Sequence, residues 1–226
     1  MTNRHLGNLY YALLDEWSGS PILSRFFRRP KGAVMPLNFT PKLNKVIEIL
    51  LYLAHKCPGI DKYQASKFFY LADREHLSRY GRPISFEPYF ALWYGPVPTH
   101  ALDLLEGDVR VMQQAGLDEL PFETEAGKAA NGSPTIFIRK AKREPNYDLL
   151  SKSDLRVLDE IIAKYGKSTF KELMDLTHEH TAYKAAWDDR RLEGAKRAEM
   201  YWDEFIEDEE RRKALVQDIA PLSARM

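Results

Sequence analysis

Cysteine is almost absent from this chain, which has one, Cys57, in 226 residues. A single cysteine cannot form a disulfide within the chain, so the sequence favours a reducing compartment and we expect the cytoplasm. The longest apolar cluster, 47–54, is interrupted by Glu48 and is far shorter than the ~20 residues that cross a bilayer. The basic strip 25–31 is not followed by an apolar run with a cleavage site, as a signal peptide would be. We therefore expect no membrane partner.

An excess of either charge is also lacking, because 33 basic residues balance 33 acidic ones. Nucleic-acid-binding domains usually carry a basic excess, so this balance argues against a dedicated DNA or RNA binder, although it leaves room for a local basic patch. Apolar residues make up 44% of the chain and aromatic residues 12%. That composition supports a sizeable core and predicts order over most of the chain.

Familiar catalytic motifs are missing too. The sequence contains no Gly-x-Ser-x-Gly, no P-loop and no Gly-x-Gly-x-x-Gly. His178 and His180 are two positions apart, so on a helix their rings would point about 200° apart and could not easily share one metal ion. Cys57 has His55 nearby, but a lone cysteine is usually inert packing. We predict a protein that is not an enzyme, with no catalytic residue, no metal and no cofactor.

Helical periodicity dominates what is present. An apolar stripe runs through 43–54, preceded by Thr40, which suits an N-cap position. Asp61 and Gln64 have the spacing of a capping box at the start of a second helix. A helical pair near the start of the domain follows from these two patterns.

One segment follows a different period. Residues 135–140 are β-branched and aromatic, which is typical of a strand, and either 85–92 or 120–124 is a suitable partner. The sequence therefore predicts a mainly α (α+β) fold: a compact multi-helix domain with a small β-hairpin or wing.

Three regions differ in composition. Residues 1–34 form an N-terminal extension with a short amphipathic helix and the basic strip, 35–206 form the domain, and 207–226 form a charged C-terminal tail. The extension is interpreted as a loosely held segment, or as the result of translation that starts upstream of Met35. The alternative is an arm that contacts a partner or DNA.

The stretch 67–98 organises the rest of the chain. Its first half is helical and stops at Gly81 and Pro83, and its second half ends in a turn stiffened by two prolines. A helix beside a rigid aromatic turn predicts a recognition surface. The predicted partner-binding residues are Asp73, Arg74, His76, Tyr80, Trp93, Tyr94, Gly95, Pro96, Val97 and Pro98. The alternative is a solvated helix face, with Tyr80 in the core and a Glu75–Arg79 pair worth ~0.3 kcal/mol.

Several segments carry a resemblance to a known family. They are YLADREHL at 70–77, YGRPI at 80–84, WYGPVP at 93–98, LSKSD at 150–154, YG at 165–166, LTH at 176–178 and AW at 186–187. In order and spacing they resemble the SocA-like, or Panacea, antitoxin domain of bacterial and phage toxin–antitoxin pairs, including phage-associated GepA-like proteins. The resemblance covers roughly residues 39 to 205.

The resemblance implies an antitoxin that neutralises a cognate toxin protein by direct binding, and it brings no catalytic motif. It also implies an adaptor role, in which the toxin is handed to a cellular protease. The alternative from a different class is a DNA-binding transcriptional regulator that uses the helices around 168–191. Lys184, Arg190 and Arg191 could contact phosphates there, but the acidic residues among them oppose it.

Overall fold

The computed structural model describes residues 37–130, 132–188 and 195–226. The predicted extension 1–34, with its basic strip, and Arg190 and Arg191 lie outside the described residues. The helices are α1 (Leu43–Lys56), α2 (Lys62–Tyr80), α3 (Thr99–Glu106), α4 (Val109–Gln114), α5 (Lys152–Tyr165), α6 (Phe170–Glu179), α7 (Thr181–Asp188) and α8 (Glu209–Ser223). The strands are β1 (Tyr89–Leu92), β2 (Gly95–Pro98), β3 (Phe122–Lys128), β4 (Pro134–Ala141) and β5 (Ala198–Met200), and a 3₁₀ helix covers Trp202–Phe205. This order confirms the predicted mainly helical α+β class.

Helix α2 is the centre of the domain, enclosed by α3, α5, α6, β2 and β4. Its N-cap is Asp61, whose carboxylate accepts a hydrogen bond from the Gln64 backbone at 2.8 Å. It ends at Gly81, which has the left-handed φ of 74°. Both boundaries were readable from local sequence. Helix α1 begins at Leu43, so Thr40 is not its N-cap; the residue in that position forms no side-chain cap.

The predicted small hairpin is present as β3 and β4, which pair antiparallel. Of the two partners that the sequence pattern left open for 135–140, the structure therefore uses the segment that begins at Phe122. The other side of β4 is covered by the link between α1 and α2. Gly59 donates its backbone N–H to the Ile138 carbonyl at 2.7 Å, and Ile138 donates to the Ile60 carbonyl at 2.8 Å.

A second, three-stranded antiparallel sheet has the order β2-β1-β5 and does not follow from the sequence pattern. Residues 89–92, the alternative partner for the hairpin, form its central strand instead. The prolines of the predicted stiff turn lie in β2, at the edge of this sheet. An edge strand tolerates proline because the missing N–H is not needed for pairing.

The charged tail begins with α8, which packs on the rest of the domain through Val216 and Ala220. The hydroxyl of Ser223, near the end of α8, is fully buried and accepts a hydrogen bond from the Asn38 backbone N–H at 3.0 Å. Residues 185 positions apart are thereby joined. The start and the end of the described chain lie together.

Candidate protein-binding site

The turn between β1 and β2 consists of Trp93 and Tyr94 alone, because Leu92 pairs directly with Gly95. Gly95 has a φ of 102°, a conformation that residues with a Cβ rarely adopt. A Cβ at this position would lie 2.8 Å from Thr177 Oγ1 of α6, well inside normal contact. Glycine is therefore required both by the backbone of the turn and by its close approach to α6.

The two turn side chains point outwards, with 69% of Trp93 and 45% of Tyr94 exposed. The Trp93 ring meets the edge of Trp187 of α7 at 6.0 Å between centroids, and Tyr94 meets Phe170 of α6 at 5.5 Å. Phe170 in turn lies 4.2 Å from the ring of Tyr63 on α2. We call these five residues the tip surface. It joins the turn to three helices that are distant in sequence.

A stack of rings beneath the turn supports the Trp93 side of the tip surface. Tyr183 stacks on Trp187 at 5.9 Å and on His178 at 4.3 Å. The Tyr183 hydroxyl donates to the Leu92 carbonyl at 2.9 Å. Helices α6 and α7 thus hold the turn through its backbone as well as through its side chains.

The predicted residues Gly95, Pro96, Val97 and Pro98 form strand β2, and all four are buried. The Pro96 carbonyl accepts a hydrogen bond from Lys67 Nζ at 2.8 Å. These residues therefore support the turn from below rather than contributing much exposed area. Within the predicted WYGPVP loop, the exposed surface comes from Trp93 and Tyr94.

Asp73 is buried rather than displayed, with 1% of its area exposed. Its Oδ1 accepts from the backbone N–H groups of Ile84 and Ser85, each at 2.7 Å. Its Oδ2 accepts from the Tyr89 hydroxyl at 2.8 Å and from the Ser85 hydroxyl. Burial raises the pKa of Asp73, and the four donors act in the opposite direction. In the folded domain Asp73 lies in the interior, where it organises the segment before β1.

His76 is also in the interior, where it joins an ionic network around Asp154 of α5. Its Nδ1 donates to the Arg82 carbonyl at 2.8 Å, and its Nε2 lies 3.0 Å from Ser153 Oγ and 3.1 Å from Asp154 Oδ1. Asp154 also binds Lys45 at 2.7 Å and the Arg82 guanidinium at 2.8 Å. Burial alone would raise the pKa of Asp154, but the bonds from His76 and Lys45 and the nearby cationic charges hold it well below its usual range.

Arg74 and Tyr80 lie on α2 away from the turn. Arg74 Nη2 is 2.7 Å from Glu207, and burial together with the Arg74 charge lowers the pKa of His180 to about 4. Tyr80 is 43% exposed and its ring lies 4.6 Å from that of His76. Along the helix, Tyr80 is about 20 Å beyond Lys67, which contacts the turn, at ~1.5 Å per residue. The ten predicted residues therefore do not form one surface, and contact with a partner stays a prediction for each exposed one.

Sequence reasoning missed three members of the tip surface and the lysine behind it. Tyr63 and Lys67 are four positions apart on α2, and the ammonium lies 4.6 Å from the centroid of the tyrosine ring. That spacing is a local signal that could have been used. Phe170 and Trp187 lie on separate helices, and no local pattern connects them to the turn.

Over the described ranges, no group of three or more His, Cys, Asp or Glu side chains is arranged to hold a metal ion. In the same part of the chain, every helix is too short or too polar to cross a membrane. Lys67 contacts the strand that follows the turn through the Pro96 carbonyl, and burial lowers its pKa to about 7.

Comparison with known protein families gives a match over the centre of the chain. Residues 66–188 match the family described as antitoxin SocA-like, Panacea domain. This span is more than half of the 226 residues and contains most of α2, the turn, and the helices that support it. No curated protein and no solved structure matches the chain. The chain belongs to the SocA-like antitoxin family and carries its Panacea domain.

Proposed function

We propose that the protein is the antitoxin of a toxin–antitoxin pair and that it neutralises a cognate toxin by direct contact through the tip surface. Membership of the family supports an antitoxin role in general. The observation that carries the finer proposal is the exposure of Trp93 and Tyr94 on a turn with a fixed backbone. A rigid aromatic pair loses little conformational entropy on binding, which favours affinity.

The expected energetic contribution of the turn is large. Tryptophan and tyrosine are enriched among the interface residues whose truncation costs ~2 kcal/mol or more. Replacing both Trp93 and Tyr94 by alanine would then weaken toxin binding by roughly 10²–10³-fold, at ~1.4 kcal/mol per factor of ten. The remaining members of the tip surface are partly buried in the free protein. They would contribute mainly by fixing the positions of the two exposed rings.

Co-expression with the protein encoded by the neighbouring reading frame tests this proposal. That protein should be toxic alone and harmless together with the wild-type chain. Rescue should be lost with Trp93→Ala/Tyr94→Ala and kept with Tyr147→Ala, which removes a 50% exposed aromatic side chain before α5. Circular dichroism should be unchanged in both variants. Full rescue by the double variant would move the binding surface elsewhere, and a neighbour that is not toxic would remove the antitoxin proposal.

The adaptor role is an extension of the same proposal. A toxin handed to a protease should have a shorter half-life when the antitoxin is present, and this difference should disappear in cells lacking that protease. If the toxin is equally long-lived with and without the antitoxin, neutralisation acts by contact alone. Either result can be read from a chase experiment in the same co-expression strain.

The charges of α6 and α7 favour the antitoxin over the DNA-binding regulator. Lys171 pairs with Asp175 at 2.5 Å, and Lys184 pairs with Glu179 at 2.6 Å. Lysines that are engaged with carboxylates on the same surface are less available to phosphates. If the protein still retarded its own promoter DNA in an electrophoretic mobility shift assay at ~0.15–0.2 M salt, the DNA-binding regulator would be favoured instead.

A further inference from the structure

Lys67 is a buried lysine with no carboxylate beside it in the described part of the chain. None of its side chain is exposed, and burial is the single cause of its lowered pKa, with no acidic neighbour offsetting it. The two other buried lysines of the described chain, Lys45 and Lys62, differ. Lys45 is paired with Asp154, and Lys62 lies 2.5 Å from Glu106. A buried ammonium without a counter-ion is costly, so the contacts that Lys67 does make are the important ones.

Those contacts connect α2 to the turn. Lys67 Nζ donates to the Pro96 carbonyl at 2.8 Å and lies over the Tyr63 ring at 4.6 Å. It is also 3.0 Å from the position that a Cβ of Gly95 would occupy, so the glycine leaves the space that the amine fills. One side chain thus touches the strand that ends the turn and one member of the tip surface. Any displacement of the turn from α2 must change the surroundings of this amine.

We propose that Lys67 is the positioning residue of the tip surface: its amine, held between the Pro96 carbonyl and the Tyr63 ring, sets where Trp93 and Tyr94 stand. Lys67 has no exposed atoms and does not itself contact a partner. Its effect on binding rests on the proposed function, whereas its effect on the turn is a property of the free protein. The two can therefore be measured separately.

Protonation offers a direct way to observe this coupling. When the turn is packed against α2, which we call the seated state, burial holds the pKa of Lys67 at about 7, against 10.5 for an ordinary lysine. If the turn lifts away, the amine meets water and its pKa returns towards the ordinary value. The displaced state therefore binds a proton more tightly, so falling pH between 10.5 and 7 favours displacement and rising pH favours the seated turn.

Few other groups titrate close to Lys67. On α2 its neighbour is the Tyr63 phenol, and β2 contributes no titratable side chain. On α6, burial and the Lys67 charge lower the pKa of His178, so this imidazole titrates at lower pH. The carboxylates near that imidazole, Asp175 and Glu179, are exposed, and each already pairs with a lysine. A transition of the turn near neutral pH is therefore attributed to Lys67.

Nuclear magnetic resonance of the free protein tests the proposal. The Lys67 side-chain carbon signals and the Trp93 indole N–H signal should titrate together, with a midpoint near pH 7. Lys67→Met keeps a side chain of similar length but lacks the amine. In this variant the change of the Trp93 indole signal with pH should be lost. Lys62→Met is the matched control, because it removes a buried lysine of the same helix that pairs away from the turn; it should keep the transition. A Trp93 signal that is flat in the wild type, or unchanged in Lys67→Met, overturns the proposal.

A second variant covers the case in which Lys67→Met does not fold. Gly95→Ala adds a methyl group 3.0 Å from the amine, so it should push turn and lysine apart and move the Lys67 midpoint upwards. An unmoved midpoint in Gly95→Ala counts against the proposal. Once a toxin is in hand, Lys67→Met should weaken its binding about tenfold at pH 8. If no toxin exists, the proposed function fails while the result on the free protein stands.

Discussion

Replacing Asp73 by alanine is expected to cost the domain about 4–6 kcal/mol of unfolding free energy. The substitution removes the acceptor for two backbone N–H groups and two hydroxyls, all in the interior. Each buried donor left without a partner costs roughly 1–3 kcal/mol, and the hydroxyls can recover part of this by rotating. The loss would approach the total stability of many domains, which is ~5–15 kcal/mol.

The isosteric Asp73→Asn variant gives the matched comparison. Its amide oxygen can still accept from Ile84 and Ser85, while its NH₂ faces the two hydroxyls, which can turn to accept. We expect a smaller loss, about 2 kcal/mol, from urea unfolding followed by circular dichroism at 25 °C. If Asp73→Ala stays within ~1 kcal/mol of the wild type yet abolishes toxin rescue, Asp73 is a contact residue and the structural role argued above is wrong.

Three further perturbations test other parts of the structure. Gly95→Ala should lower the free energy of unfolding, measured by chemical denaturation, by ~2 kcal/mol or more. The loss should be larger than in Gly107→Ala, the matched control, because Gly107 has a φ of 75° but no atom within 4 Å of an added Cβ. Equal losses would contradict the close packing of the turn. Because the unfolded chain binds a proton that folded Lys67 lacks, stability should rise with pH between 7 and 10.5 by up to ~1.4 kcal/mol per pH unit, and a slope undiminished in Lys67→Met would refute this. Asp154, whose pKa is depressed, contributes stability above its ordinary pKa of 3.8, and this stability is lost as the pH falls below that value. Asp154→Asn should therefore be ~3 kcal/mol less stable at pH 7, and its unfolding free energy should depend less on pH in acid. An acid profile identical to that of the wild type would argue against the network.

The ends of α2 were predictable because their causes are local. An aspartate followed three residues later by glutamine caps the start, and Gly81 accepts a left-handed φ at the end. The exposure of Trp93 and Tyr94 also follows from a short segment, since a glycine directly after them allows a two-residue turn. In these places a few neighbouring residues determine the outcome.

The interior positions of Asp73 and His76 were not predictable from periodicity. A polar residue on a helix is expected to face water, but α2 is enclosed on most sides, and the segments that cover these two side chains come from later in the chain. Asp73 is covered by residues 84–89, and His76 by the start of α5. The family motifs that suggested a recognition patch are thus, in part, the hydrogen bonds of the core. For the same reason Lys67, a residue type rarely found inside, gave no sign of its burial.

The bond between Asn38 and Ser223 has a consequence for the protein's synthesis. This contact can form only after the last described helix has left the ribosome, so every nascent chain passes through a period without it. The cationic side chains of Lys45 and Arg82, which meet at Asp154, are likewise unmatched until α5 has been made. A stalled or truncated chain would therefore be an easy target for degradation, and the cellular supply of this protein would track completed translation closely.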